Sequence, residues 1–173
     1  MEVSRLSKLR TSLAINNRPR LDLPLPKMHF ANALNTVKAT TIVGELLEQS
    51  IGWAALMLHN AVANHTDKTV RDFVIGWVKS PFVYQFETMF VPNSVMMGSS
   101  PRFDMNGNQF GLGKGVTVQS GYAIEFVGKP SLYLRCEGGG SVDLEICLSP
   151  DSMRALESYQ EFMGTMNMVG IVL

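Results

Sequence analysis

The segment from Val43 to Val62 constrains the fold of this chain more than any other, because its apolar side chains surround a helix instead of lining one face. Two apolar groups follow helical spacing on different sides of that helix: Val43, Leu47, Ile51, Ala54, Leu58 and Val62, and Leu46, Trp53, Leu56 and Met57. Thr40 or Thr41 is a candidate N-cap. The sequence therefore predicts one long helix that needs contacts on more than one side, inside a larger structure.

Around this helix, the first half of the chain predicts strands, a loop and a second helix. Ser12 to Asn16 is predicted as a short strand, and the prolines from Pro19 through Pro26 predict an extended loop, because proline fixes φ and lacks an N–H donor. Leu34 to Ile42 is predicted to be extended. The second helix should end at Ser80 before Pro81. Its apolar residues at helical spacing are Val70, Phe73, Val74, Trp77 and Val78.

The second half of the chain predicts mostly strands. We expect strands over Ser94 to Phe103 and over Val116 to Ser120. Leu132 to Cys136 and Val142 to Leu148 are predicted to pair as a hairpin across three glycines, because apolar and polar residues alternate in the second of them.

A last helix is predicted from its N-terminal residues. Ser149 is the expected N-cap, Pro150 occupies the first helical position, and Asp151 complements the positive end of the helix dipole. The residues expected to face inward are Met153, Leu156, Tyr159 and Met163. The order of strand, helices, strands and helix predicts a mixed α/β or α+β fold, with residues 1–173 forming one domain.

The charge balance gives no net electrostatic attraction to a partner. Fifteen basic and fifteen acidic residues cancel, so neither nucleic acid nor a membrane is predicted as a partner. No apolar run is long enough to cross a bilayer, and the N-terminal residues lack the apolar core of a secretory signal. These absences predict a cytoplasmic protein, and its two cysteines, too few for a disulfide framework, are expected to stay reduced there. Six basic residues fall early and are interpreted mostly as a solvated face: Arg5, Lys8, Arg10, Arg18, Arg20 and Lys27.

The residues that usually bind metals or act as nucleophiles give no site. His59 and His65 lie six positions apart on a predicted helix and face opposite ways, so a shared metal ion is not expected. These histidines and His29 are interpreted as exposed or hydrogen-bonded side chains. Cys147 shares a strand face with two carboxylates and is interpreted, like Cys136, as a packing residue. No P-loop or dinucleotide fingerprint is present.

Several segments, in order along the chain, resemble one enzyme family. The stretch from Gln109 to Lys114 reads Gln-Phe-Gly-Leu-Gly-Lys and is similar to the Asp-Phe-Gly-Trp-Gly-Lys signature of the plant BAHD acyltransferases. Other segments resemble the family's Arg-containing strand, its prolines, its Tyr-Phe-Gly-Asn motif, the strand entering the glycine loop, and the closing strand with the last helix: Asn16–Leu21, Pro24–Pro26, His29–Ala33, Pro92–Phe103 and Gly140–Pro150.

This resemblance implies a fold and an activity. The fold would be the later part of the C-terminal lobe of the two-lobed CoA-dependent acyltransferases, which are chloramphenicol acetyltransferase-like, with the N-terminal lobe absent from residues 1–173. Acyl-CoA would be the co-substrate, without a permanently bound cofactor, and the acceptor would be a hydroxyl or amine of a plant metabolite. A missing N-terminal lobe or a full-length relative would be a further partner.

The sequence contains no His-x-x-x-Asp, the catalytic motif of that family. No residue is therefore assigned as catalytic, and we expect the chain alone to be inactive. Two alternatives stay open. The chain is a non-catalytic module that binds CoA, a metabolite or a relative, or it is a product that does not fold.

Other site residues follow from the resemblance, residue by residue. A structural glycine loop corresponds to Gln109, Phe110, Gly111, Leu112 and Gly113. In the family the first residue of this loop is an Asp that pairs with an arginine. The position of that arginine corresponds here to Arg18 or Arg20. The residues that would line the substrate tunnel are Asn32, Ser99, Ser100 and Arg102.

Overall fold

The computed structural model of the chain describes residues 4–26, 28–85, 93–98, 107, 109–116, 118, 120, 127–134 and 141–166. Its strands are β1 (Lys8–Asn16), β2 (Leu34–Ile42), β3 (Ser94–Met97), β4 (Lys129–Leu134) and β5 (Val142–Cys147). Its helices are α1 (Val43–Glu48), α2 (Ile51–Ala63), α3 (Asp67–Lys79), α4 (Pro150–Ser158) and α5 (Gln160–Met163), with a 3-10 turn at Arg18–Arg20.

Strand β1 lies at the centre of a three-stranded sheet with the order β2-β1-β3. It pairs antiparallel with β2 along its whole length, from Lys8 opposite Ile42 to Asn16 opposite Leu34, and it pairs parallel with β3. The extended stretch predicted over Leu34–Ile42 is confirmed. The first strand is longer than predicted, because β2 offers backbone partners as far back as Lys8.

The β4–β5 hairpin is a second, two-stranded sheet that lies beside β3. The N–H of Met96 donates to the carbonyl of Gly128 at 2.9 Å, and the N–H of Gly98 donates to Pro130 at 3.0 Å. Steps of two residues in the same direction on both chains are the pattern of a parallel pair. The described strands thus form two sheets, β2-β1-β3 and β4-β5, and these hydrogen bonds place β4 beside β3.

The strand predictions for the second half hold in part. The pairing of the two predicted hairpin strands is confirmed, with β4 beginning earlier, at Lys129, and antiparallel to β5. Residues 135–140, with Cys136 and the three glycines of the predicted turn, lie outside the described part. The strand expected over Ser94–Phe103 is observed as Ser94–Met97, and residues 99–103 lie outside the described part. A strand over Val116–Ser120 is wrong for the described residues there, at 116, 118 and 120, because none of them belongs to a strand.

The single helix predicted over Val43–Val62 is wrong, because the chain forms α1 and α2 with a break between them. Gln49 is extended, and Ser50 acts as N-cap of α2 by accepting the N–H of Trp53 at 3.2 Å. The hydroxyl of Thr41 donates to Oε2 of Glu45 at 2.6 Å instead of capping the backbone. A serine that satisfies a free N–H can start a new helix inside a continuous apolar pattern.

The end of α3 and the start of α4 were predicted correctly, but the length of α4 was not. Helix α3 ends with Ser80 as its C-cap, as predicted. Helix α4 begins with Ser149 accepting the N–H of Ser152, also as predicted, but it stops at Ser158. Tyr159 is extended and exposed between α4 and α5, so the prediction that it faces inward is wrong.

The most buried apolar side chains lie mainly in the sheet: Ile15, Val37, Ala39, Val70 and Tyr133. Helix α2 packs on β2, yet none of its residues is fully buried, and Ile51 and Leu56 are exposed. Within the described residues, no helix combines the length and apolar character needed to cross a membrane.

Candidate functional site

Arg18 organises the loop that carries Asn32. Its Nη2 donates to the carbonyls of His29, at 3.3 Å, and Ala31. The side chain of Asn16 accepts the N–H of Arg18 at 3.1 Å, a local turn that ends β1 and starts the 3-10 segment. The N–H of Asn17 donates to Ala33 at 2.9 Å. The carbonyls of His29, Ala31 and Ala33, on both sides of Asn32, are thus hydrogen-bonded to the residues that follow β1. Asn32 itself is exposed.

Arg20 binds backbone carbonyls at the C-terminal end of α2. Its Nη1 donates to the carbonyls of Val62 at 3.1 Å and His65 at 3.3 Å. The last carbonyls of a helix lack intrahelical donors and carry partial negative charge, so a guanidinium group at this place stabilises the helix. The described hydrogen bonds of Arg18 and Arg20 thus go to backbone or local acceptors, and none of them reaches Gln109.

His65 is a buried, hydrogen-bonded histidine. Its side chain is 5% exposed and Nε2 lies 3.0 Å from Oδ1 of Asn17. Burial lowers the pKa of His65, because the imidazolium form loses solvation, and the positive charge of Arg20 lowers it further. The interpretation of this histidine as a satisfied polar residue agrees with the structure. His29 and His59 are exposed.

Asp67, at the start of α3, connects this helix to the loop that follows the 3-10 turn. Its carboxylate accepts from Nε of Arg71 at 2.5 Å and from the N–H of Asp22 at 3.1 Å. The hydrogen bond from Arg71 is the main reason that the pKa of Asp67 is lowered. A shallow hollow of about 480 Å³ lies over the junction, lined by Arg20, Asp22, Ala63, His65, Thr66, Asp67 and Lys68. Because its lining carries charges of both signs and it is open to solvent, we interpret the hollow as the contact between the turn after α2 and the loop after β1, and not as a ligand site.

The glycine loop is exposed where it is described. The N–H of Leu112 donates to Gln109 at 2.9 Å, and Phe110, Gly111 and Gly113 have positive φ angles of 48°, 78° and 90°. Phe110 is 89% exposed and Leu112 is 93% exposed. These apolar side chains make the loop a surface feature of this chain. Of the residues predicted to line the tunnel, Ser99, Ser100 and Arg102 lie outside the described part.

A buried polar group on the sheet was not predicted from the sequence. The hydroxyl of Tyr133 lies 2.7 Å from Oγ of Ser120, whose N–H donates to Oε2 of Glu145 at 2.9 Å. Ser131, only 3% exposed, lies beside them. Strand alternation places Ser131, Tyr133 and Glu145 on one face, but Ser120 joins them from outside the strands, which no periodicity could reveal.

Within the described residues, no group of His, Cys, Asp and Glu side chains has an arrangement that could hold a metal ion. His65 is the one histidine described as buried, and its neighbour Arg20 is a cation where a general base would need an orienting carboxylate. The geometry of the described residues therefore supports structural roles, and it assigns no acid–base group.

Comparison with known proteins identifies the class. The sequence profile of the Transferase family matches residues 2–163. The chain is similar to an uncharacterized acetyltransferase of Arabidopsis thaliana, with 32% identity over 158 residues that cover 90% of this chain and 35% of the relative. It is similar to the BAHD acyltransferase DCR of the same plant, with 36% identity over 146 residues that cover 84% of this chain and 30% of the relative.

Solved structures share the fold. The chain superposes on TRI101 of F. graminearum complexed with coenzyme A and T-2 mycotoxin with a TM-score of 0.80, at 17% identity, over 94% of this chain and 37% of that one. For vinorine synthase the TM-score is 0.66, at 17% identity, over 92% of this chain and 36% of that one.

The mixed α/β fold is shared with vinorine synthase and TRI101, and this chain covers 36% and 37% of those two chains. The chain belongs to the Transferase family, which contains the BAHD acyltransferases, so the resemblance read from the sequence is confirmed. It spans 35% and 30% of the length of the two Arabidopsis relatives.

Proposed function

We propose that this chain forms the later part of the C-terminal lobe of an acyltransferase that moves an acyl group from acyl-CoA to a hydroxyl or amine of a small plant metabolite. The observation that carries the proposal is the family match over residues 2–163, together with a fold shared with an enzyme solved in complex with coenzyme A. Cytoplasmic localisation stays a prediction from the sequence.

In this proposal the general base lies outside the 173 residues, because they contain no His-x-x-x-Asp. The base takes the proton of the acceptor hydroxyl or amine, and the acceptor atom attacks the thioester carbonyl. The carbon–sulfur bond then breaks, the acyl group stays on the acceptor, and CoA leaves as the thiol after taking up a proton. A lobe that carries the His-x-x-x-Asp motif has to complete the site.

The contribution of this chain would be one wall of the substrate tunnel. Asn32, which we propose as a lining residue, is exposed on a loop whose neighbouring carbonyls are fixed by Arg18. A fixed loop holds a polar side chain in position at little entropic cost when substrate binds. Ser99, Ser100 and Arg102 are proposed on the same wall by resemblance.

The test supplies the missing part. The purified chain is mixed with the part of the similar Arabidopsis BAHD acyltransferase DCR that this chain does not match, and thiol release from acetyl-CoA is measured with a panel of alcohols and amines. The control is the same part of DCR with the histidine of its His-x-x-x-Asp motif replaced by alanine. Acceptor-dependent thiol release only with the intact motif supports the proposal.

The outcome of a titration separates the alternatives. If the mixture is inactive but the chain alone binds CoA, the chain is a non-catalytic CoA-binding module. If calorimetry shows no heat with CoA, and CoA does not raise the melting temperature, the chain is not a CoA-binding module. A chain without a cooperative unfolding transition would exclude both functions.

A further inference from the structure

One face of the central sheet collects the basic residues of β1 and β2. Successive side chains on a strand point to opposite faces, and directly paired residues share a face. Lys8 and Arg10 therefore lie on the same face as Ser12. Lys38 is paired with Ser12, and Thr40 with Arg10, which puts Lys38 and Thr40 on that face as well. Lys8, Arg10 and Lys38 are called here the cationic face.

This face carries no negative charge on β1, β2 or β3, and its first acidic side chains, Asp143 and Glu145, lie on β5, on the far side of β4. The other positions on the same side of these strands are all uncharged: Ser12, Ala14, Asn16, Leu34, Thr36, Thr40, Ile42, Ser94 and Met96. Among the described residues, no hydrogen bond or ion pair involves the side chain of Lys8, Arg10 or Lys38. By contrast, Arg5, Lys68, Arg71 and Arg154 each have a carboxylate partner.

The spacing of the three cations suits a phosphate. Residues two apart on a strand are about 7 Å apart, and diagonal cross-strand neighbours such as Arg10 and Lys38 are about 7–8 Å apart. Like charges at this spacing repel one another unless an anion lies between them. Lys8 and Lys38 are exposed, so their long side chains are free to bend toward each other, whereas Arg10 between them is half-buried. The two ammonium groups and the guanidinium group of Arg10 can therefore contact the same anion.

We propose that the cationic face binds phosphate groups, and that within the proposed function it holds the phosphates of the acyl-CoA. The identification of CoA rests on the proposed function, whereas anion binding rests on the sheet alone. The pyrophosphate and phosphate ester of CoA supply several negative charges, and arginine binds phosphate oxygens through its planar fork of donors. Because the chain has no net charge, attraction to this face is local.

The experiment measures binding by calorimetry at low ionic strength to three probes: CoA, inorganic pyrophosphate, and pantetheine, which has no phosphate. The test variant is Lys38→Glu. The matched control is Lys79→Glu, which makes the same charge change on an exposed residue at the end of α3, away from the sheet. We expect Lys38→Glu to weaken CoA and pyrophosphate binding about tenfold or more, and Lys79→Glu to leave both nearly unchanged.

Further variants guard against a folding defect. Lys8→Glu reverses the charge at the first residue of β1, as Lys38→Glu does on β2. Arg10→Gln removes the guanidinium group without adding a negative charge. Each variant is first shown to melt as cooperatively as the wild type. Affinity for CoA and for pyrophosphate should fall with added salt, whereas any binding of pantetheine should not.

The outcomes separate this inference from the proposed function. CoA binding that is equal in wild type and all three variants overturns the inference and leaves the proposed function standing. Pyrophosphate binding that Lys38→Glu weakens, without CoA binding by the wild type, supports the anion face and counts against the CoA-dependent function. Absence of binding to both overturns the inference. It is also overturned if a single-stranded oligonucleotide binds more tightly than CoA and loses that affinity in Lys38→Glu.

Discussion

Nε2 of His65 lies 3.0 Å from Oδ1 of Asn17, and this contact joins the end of β1 to the turn between α2 and α3. Both residues are buried. An amide oxygen only accepts, so Nε2 of the imidazole carries the proton, and further protonation has to occur at Nδ1. That second proton would place a buried positive charge close to Arg20, which donates to the carbonyl of His65.

The first prediction concerns stability in mild acid. The pKa of His65 in the folded protein is below its ordinary value of 6.5, so the unfolded chain binds the proton more strongly than the folded one. The contribution of His65 to stability is therefore complete above that ordinary value, and it is lost as the pH falls through the lowered pKa. We expect the free energy of unfolding by urea to decrease as the pH falls from about 7.5 to about 5.

Two substitutions test whether His65 is the source of that dependence. His65→Gln keeps an N–H donor for Asn17 but does not titrate, so its pH dependence should be flatter than that of the wild type. His59→Gln, at an exposed histidine on α2, should keep the wild-type dependence. If wild type and His65→Gln lose stability in parallel, His65 is not the titrating group.

The second prediction concerns the junction between β3 and the β4–β5 hairpin. Gly128 has a φ of 84°, and a Cβ at this position would lie far inside van der Waals contact with the carbonyl oxygen of Ser94. Gly128→Ala should lower the free energy of unfolding by about 3 kcal/mol, from backbone strain and displacement of β3. Gly76→Ala, in α3 with open space around the Cβ, should raise it by about 0.5–1 kcal/mol. Urea unfolding of both variants gives the comparison, and similar values would contradict the close approach.

Local patterns predicted most elements of the fold but not their interruptions. The alternation in Val142–Cys147 and the caps at Ser149 and Ser80 gave elements that the structure contains. Apolar periodicity runs unbroken through Ser50, so it could not show that this serine caps a new helix. The length of β1 depends on pairing with β2, which is a tertiary contact and leaves no local pattern.

The candidate site was less predictable, because its hydrogen bonds join distant parts of the chain. The resemblance singled out Arg18 and Arg20, and both are structurally important. Their described partners are carbonyls at His29 and Ala31 and at Val62 and His65. A backbone carbonyl is present at every residue, so the sequence cannot indicate which ones an arginine will reach.

The third prediction concerns Arg18 and the loop that carries Asn32. The guanidinium group reaches two carbonyls at once, whereas the ammonium of a lysine is a compact donor on a flexible stem. Arg18→Lys should lower the free energy of unfolding by about 1–2 kcal/mol and speed amide hydrogen exchange over residues 28–33. Exchange measured by mass spectrometry, peptide by peptide, locates the effect.

A matched substitution shows whether the change belongs to that loop. Arg154→Lys alters an exposed arginine that pairs with Asp151 on α4, and a surface pair of this kind contributes roughly 0–1 kcal/mol. It should leave exchange over residues 28–33 unchanged. If Arg18→Lys leaves that exchange unchanged as well, the loop is held by the Asn17–Ala33 hydrogen bond and not by Arg18.

The last prediction separates the two effects of Arg20. Its guanidinium group satisfies carbonyls at the end of α2, and its charge lowers the pKa of His65. Arg20→Gln should therefore destabilise the protein while raising the pKa of His65, because the opposing charge is gone and burial remains the main cause of the shift. An NMR titration of the His65 ring in wild type and variant measures the second effect directly. With a smaller pKa shift at His65, the free energy of unfolding of Arg20→Gln should also change less with pH than that of the wild type. A variant that is less stable but has an unchanged His65 pKa would show that Arg20 acts on the carbonyls alone.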